Sequence, residues 1–138
     1  MLKMRNAFVL SVALAVSFFT MVAFASDTIQ ISQQELLSAI DNKTQDVVIL
    51  DVRSKEEYDQ GHIAGAINVS YDNVEANLGK LTKYQKSKVV VYCRSGRRAG
   101  IAEQILTDNG FTHLRHLTGD MNGWQAAKLP LVVGKATK

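Results

Sequence analysis

The stretch VVVYCRSGRRAGIAEQIL, residues 89–106, decides the fold class. Its first four residues are β-branched or aromatic, which predicts a buried strand. Apolar residues then recur at helical spacing from Ile101, and Gly110 stands where a helix would end, which predicts a helix over 99–109. A strand, a six-residue loop and a helix in this order are typical of parallel α/β folds.

The segments on either side continue this alternation of short strands with helices. The Ser-x-x-Glu spacing that begins at Ser32 and again at Ser54 is that of a capping box, which marks a helix start. Strands are predicted over 47–50, 66–69 and 113–117, and helices over 32–42, 54–58, 72–78 and 121–127. Gly79 is expected to end the third of these helices. The pattern predicts a three-layer α/β/α domain with a central, mainly parallel sheet.

The N-terminal 25 residues are typical of an export signal. Lys3 and Arg5 precede an uncharged, mostly apolar stretch over 7–25, which closes on the A-x-A sequence of a signal-peptidase site. We therefore expect a signal peptide over 1–25, a single domain over 26–138, and a periplasmic protein. The apolar stretch also approaches membrane-spanning length, so an uncleaved N-terminal anchor is the alternative.

Charge and cysteine content narrow the possible partners. Loss of residues 1–25 leaves 113 of the 138 residues and lowers the net charge from +3 to about +1, which gives little reason to expect a nucleic-acid or membrane partner. The single cysteine, Cys93, cannot close an intramolecular disulfide. With one cysteine and no clustered ligands, we expect neither a metal site nor a cofactor.

Cys93 is the candidate catalytic residue because it follows a predicted strand and precedes a helix. Ligands bind at the carboxyl ends of parallel strands, and a loop entering a helix presents N–H groups to anions. The residues predicted to bind the substrate are the next five: Arg94, Ser95, Gly96, Arg97 and Arg98. The positive charge of these arginines and the helix dipole favour the thiolate form of Cys93. A thiolate is a nucleophile, and the same positive charge attracts an anionic substrate.

Three segments resemble the rhodanese sulfurtransferases: LDVRSKEEYDQGHIAGAINV at 50–69, the stretch at 89–106, and LTGDMNGWQAAKLPL at 117–131. Among them the chain is most similar to the small, exported, single-domain members of the phage shock protein E type. The resemblance implies that Cys93 takes the outer sulfur of thiosulfate or a similar anionic donor as a persulfide. Cyanide or a thiol then accepts that sulfur.

The resemblance also suggests supporting residues. Asp51 and Arg53 match the family's D-x-R and are expected to support the neighbouring loops through an ion pair. Glu57 occupies the position of a substrate-binding arginine in two-domain members and is expected to be solvated. His62 is expected to be structural and Trp124 to be core.

Two features near the C-terminus bear on the site. His113 and His116 are three apart on a predicted strand, so they should point to opposite faces. Where the family often has two glycines, this chain has Gly119 and Asp120, which affects the shape of that loop.

Two other functions fit parts of the pattern. A cysteine phosphatase or arsenate-reductase-like enzyme has a similar loop, but its arginine lies six positions after the cysteine, where this chain has Ala99. A non-catalytic sulfur-binding or stress-response module would keep the fold without turnover.

Overall fold

Five parallel strands form the central sheet in the computed structural model, which describes residues 28–44 and 46–134. The strands are β1 (Gln30–Ile31), β2 (Val47–Asp51), β3 (Ile67–Asn68), β4 (Lys88–Tyr92) and β5 (Leu114–Leu117). Their spatial order is β1-β5-β4-β2-β3, so β4 lies in the middle. A ligand site at the carboxyl end of β4 is therefore flanked by the ends of β2 and β5.

Helices pack on both faces of this sheet. They are α1 (Gln33–Asp41), α2 (Lys55–Gln60), α3 (Leu78–Leu81), α4 (Arg97–Asp108) and α5 (Asp120–Ala126). Both predicted capping boxes are present: Ser32 accepts from the N–H of Glu35, and Ser54 from that of Glu57. These reciprocal bonds satisfy N–H groups that the start of a helix leaves unpaired.

The side chains of β4 alternate between two apolar cores. Val89 and Val91 pack with Cys93 against α3 and α4, whereas Val90 and Tyr92 face α1, α2 and α5. This alternation follows from the two-residue period of a strand. The predicted three-layer α/β/α class with its parallel sheet is confirmed.

The predicted helix over 72–78 is wrong. The segment instead makes 3₁₀ turns at Tyr71–Asn73 and Glu75–Asn77, and α3 begins only at Leu78 and runs through Gly79. Within 71–77 only Val74 is buried, so no continuous apolar face is present to hold a regular helix against the sheet.

His62 and Trp124, predicted to be structural and core residues, are both buried in the fold. His62 is buried, lies 2.9 Å from the Tyr58 carbonyl oxygen through Nδ1, and stacks on the Tyr58 ring. Trp124 is buried in the core and donates to the Pro130 carbonyl oxygen.

The predicted signal peptide over 1–25 lies outside the described residues. In residues 28–44 and 46–134, no helix has the length and apolar character needed to cross a membrane.

Candidate active site

The loop after Cys93 is shorter than the apolar pattern predicts. α4 begins at Arg97 with Gly96 as its N-cap, so the loop has four residues, 93–96, rather than six. Gly96 has a φ of +110°, a left-handed value that favours glycine. The apolar pattern begins only at Ala99, which is the first buried position of α4, so it does not extend to the two helical residues before it.

The sulfur of Cys93 accepts a hydrogen bond from the backbone. The N–H of Gly96 donates to Sγ at 3.0 Å, and the N-terminus of α4 follows directly. Cys93 is only 1% exposed, so its sulfur is buried. An amide donor and the positive end of a 12-residue helix both stabilise negative charge on this sulfur.

The start of α5 holds the loop from below. Backbone N–H groups of Met121 and Asn122 donate to the carbonyl oxygens of Cys93 and Arg94, at 3.0 and 3.1 Å. The N–H of Cys93 donates to Oδ1 of Asp120 at 2.9 Å. Three hydrogen bonds from one helix start therefore restrict the first two loop residues.

The five predicted substrate-binding residues lie together after Cys93 but differ in exposure. Arg94, Ser95 and Arg97 are exposed, whereas Gly96 and Arg98 are partly buried. The two exposed arginines, Arg94 and Arg97, form the positively charged rim of the loop that begins at the buried Cys93. An anion that approaches the loop meets this rim first.

Glu57 is not the solvated residue that the sequence suggested. Its carboxylate forms a two-point ion pair with Arg98, with Oε2 2.7 Å from Nη1 and Oε1 2.9 Å from Nη2. The hydrogen bond from Arg98 is the main reason that the pKa of Glu57 falls to about 2. The pKa of Arg98 is raised, mainly by Glu57 and to a lesser extent by Cys93. Arg98 therefore interacts with a carboxylate and, more weakly, with the candidate nucleophile.

Asp51 and Arg53 form a buried pair at the carboxyl end of β2. Their side chains join at 2.6 Å, Arg53 also donates to the Gly61 carbonyl oxygen, and the Tyr92 hydroxyl donates to Asp51 at 2.6 Å. Burial and the Asp51 charge raise the pKa of Tyr92, which therefore stays protonated as a donor. The pair ties β2, β4 and the loop before β3 together, and this geometry fits the expected supporting role.

Sequence reasoning missed a buried group of charges beneath the loop. His116 lies 2.6 Å from Glu103 through Nδ1 and 2.9 Å from Asp120 through Nε2. His113, by contrast, precedes β5 and is exposed. The departure from a glycine pair at Asp120 was the one available signal, because the other contacts join separate elements.

A polar cleft of about 400 Å³ opens beside Arg98. It lies between the start of α2 and the segment after β3, at the carboxyl ends of two strands. Among the residues lining it are Ser54, Asn68 and Asn73. The cleft offers hydrogen-bonding groups next to the guanidinium of Arg98.

Comparison with known proteins agrees with the resemblance that the sequence motifs showed. The chain matches the family model described as "Rhodanese-like domain" over residues 32–127. The uncharacterized protein YibN of Escherichia coli is 36% identical over 92 residues, which cover 66% of this chain and 64% of YibN. The thiosulfate sulfurtransferase PspE of Escherichia coli is 37% identical over 70 residues, or 51% of this chain and 67% of PspE.

The solved structures agree with the fold. A rhodanese-related protein from Thermoplasma volcanium superimposes with a TM-score of 0.66 at 25% identity, covering 76% of this chain and 98% of that one. The chain spans about two thirds of the length of YibN and PspE.

Proposed function

Because the chain belongs to the rhodanese-like domain family, we propose that it is a sulfurtransferase that carries sulfur on Cys93. The donor is thiosulfate or a similar sulfane-sulfur anion, and the acceptor is cyanide or a thiol. The observation that carries the proposal is the hydrogen bond from the Gly96 N–H to Cys93 Sγ at the N-terminus of α4. A relative that shares the matched region, PspE, is named a thiosulfate sulfurtransferase.

The first step transfers sulfur to the enzyme. The Cys93 thiolate attacks the outer sulfur of thiosulfate, a new S–S bond forms, and the S–S bond of thiosulfate breaks. Sulfite leaves with the electron pair of the broken bond, and Cys93 holds a persulfide. The charge of –3 on the reactants equals that on the products, so no oxidant, reductant or proton is needed.

The second step returns the enzyme to its starting state. Cyanide attacks the outer sulfur of the persulfide, thiocyanate leaves, and Cys93 becomes a thiolate again. A thiol acceptor follows the same route and leaves as its own persulfide. Such a double displacement is covalent catalysis by an activated nucleophile.

The loop supports both steps by stabilising negative charge. The Gly96 N–H and the start of α4 stabilise Sγ of Cys93, which carries the negative charge in the free enzyme and again after the acceptor has taken the sulfur. The rim arginines, Arg94 and Arg97, attract a dianionic donor and raise its local concentration. Arg98 can also stabilise the departing sulfite, but its ion pair with Glu57 competes with this interaction.

We further propose that the reaction takes place outside the cytoplasm, since residues 1–25 have the pattern of an export signal. For an exported enzyme, we propose a protein thiol as the acceptor in place of cyanide.

Mass spectrometry of the protein after incubation with thiosulfate tests the proposal. We expect the mass to rise by about 32 Da, one sulfur, and cyanide to reverse the gain with release of thiocyanate. Cys93→Ser must show neither effect while keeping its fold, as judged by circular dichroism. Hydrolysis of an aryl phosphate by the wild type, without any sulfur gain, would overturn the proposal in favour of a phosphatase.

A further inference from the structure

A buried chain of charged groups underlies the loop, and the two sulfur-transfer steps make no use of it. Glu103, His116 and Asp120 are 1%, 7% and 4% exposed. His116 bridges the two carboxylates through its two ring nitrogens. These contacts, that with Asp120 foremost, raise the pKa of His116 to about 10, so the ring is an imidazolium at neutral pH. It donates to both carboxylates and holds the Asp120 side chain in one orientation.

The second oxygen of Asp120 reaches the nucleophile's own backbone. Oδ1 accepts the N–H of Cys93 at 2.9 Å, while Oδ2 faces His116. Asp120 itself has a φ of +51°, a left-handed conformation that glycine adopts more easily. Such strain persists only where the surrounding contacts compensate for it. The contacts that compensate here are those of the carboxylate.

Asp120 also packs against the other end of the loop. A Cβ atom on Gly96 would lie 3.2 Å from Asp120 Oδ2 and 3.6 Å from His116 Nε2. Gly96 is the residue whose N–H donates to Cys93 Sγ. The same carboxylate therefore accepts from one of the two residues that this sulfur hydrogen bond joins, and it lies close to the other.

We propose that Asp120 is a positioning residue for Cys93: its carboxylate, oriented by His116, anchors the Cys93 amide and so aims the sulfur at the Gly96 N–H. This inference rests on the proposed function, since it concerns how the same loop presents its nucleophile. Asp120 is buried and lies beneath the loop, whereas the donor arrives over the exposed rim. Loss of the carboxylate therefore affects kcat rather than the KM for thiosulfate.

Two substitutions and one control test the proposal by thiocyanate formation. Asp120→Gly suits the left-handed backbone, so the variant folds, but it leaves the Cys93 N–H without its acceptor. We expect kcat to fall roughly tenfold to a hundredfold, the range for a lost hydrogen bond to a charged group. Asp120→Asn tolerates the same backbone and keeps one acceptor oxygen for the Cys93 N–H, while its NH2 group donates to a neutral His116 ring, so kcat falls by only about threefold. Both variants keep the wild-type KM for thiosulfate.

Lys128→Gly is the matched control. Lys128 is exposed, has a φ of +54°, and follows the end of α5, so its substitution relieves similar backbone strain away from Cys93. We expect its kcat to equal that of the wild type. Wild-type kcat in Asp120→Gly, or a loss in Asp120→Asn as large as in Asp120→Gly, would overturn the positioning role.

Hydrogen exchange of the Cys93 amide provides a readout that does not depend on turnover. We expect slow exchange in the wild type and in Asp120→Asn, and fast exchange in Asp120→Gly. Equal exchange in all three would refute the anchor even if the enzyme is active. If the wild type instead forms no persulfide with thiosulfate, the proposed function fails while the amide result still decides the anchor.

Discussion

Replacing Glu57 by Gln should lower the KM for thiosulfate, because it releases Arg98 from its carboxylate partner. The pair is bidentate, at 2.7 and 2.9 Å, and the pKa of Glu57 near 2 keeps it charged at neutral pH. The two side chains are 23% and 29% exposed, so solvent screens the pair and its strength is about 1 kcal/mol. If a dianionic donor regains that energy, the KM falls about fivefold.

The substitution changes little else at this position. Glutamine keeps an oxygen that can accept the N–H of Ser54, so the capping box of α2 survives. The freed guanidinium faces the polar cleft beside the loop. We expect kcat to stay within about twofold of the wild type, since the ion pair acts on donor binding rather than on bond breaking.

The assay measures initial rates of thiocyanate formation against thiosulfate concentration at low ionic strength. Glu75→Gln is the control. Glu75 is exposed and does not line the cleft, and its substitution removes the same unit of charge. The gap between the two variants should shrink at high salt, where exposed charges are screened. An unchanged KM in Glu57→Gln, or an equal fall in Glu75→Gln, would refute the idea that Glu57 competes with the donor.

Three further predictions concern the surroundings of the loop. The pKa of His116 is raised from 6.5 to about 10, so its contribution of a few kcal/mol to stability is complete below pH 6.5 and is lost as the pH rises toward 10. Denaturant unfolding at pH values across this range measures the loss. A variant of the exposed His113 must show the same dependence of the free energy of unfolding on pH. Gly96→Ala should lower stability by about 1–3 kcal/mol and abolish turnover, because φ is +110° and the new Cβ would crowd the carboxylate beneath. Gly65→Ala, also at positive φ but with open space, should keep its activity, and an equal loss there would contradict the crowding argument. Asp51→Asn should cost about 3 kcal/mol or more of unfolding free energy, since it leaves the buried Arg53 without a charged partner; unchanged unfolding would argue against that pair.

The sequence by itself was sufficient for the type and order of the elements around the nucleophile. A run of β-branched residues before Cys93 and an apolar helical period after it identified the strand, the loop and the helix. The capping boxes at Ser32 and Ser54 were equally readable, because each joins residues only three positions apart. Such signals depend on backbone geometry within one turn, which the order of nearby residues determines. The helix start at Arg97 was missed by two residues because it rests on the left-handed turn at Gly96 rather than on an apolar side chain.

Only the tertiary structure decided what surrounds the loop. The contacts of Arg98 with Glu57 and of Cys93 with Asp120 span 41 and 27 residues, and they exist because the sheet order places β4 between β2 and β5. The order of residues predicts which positions are buried and whether they repeat with a helical or a strand period. It does not predict which strand ends become neighbours. The sequence therefore predicted that Glu57 is a solvated helix residue, and it showed Asp120 only as a replacement for a glycine that the family often has. In the folded protein one carboxylate holds the arginine beside the sulfur and the other holds the amide of the cysteine itself.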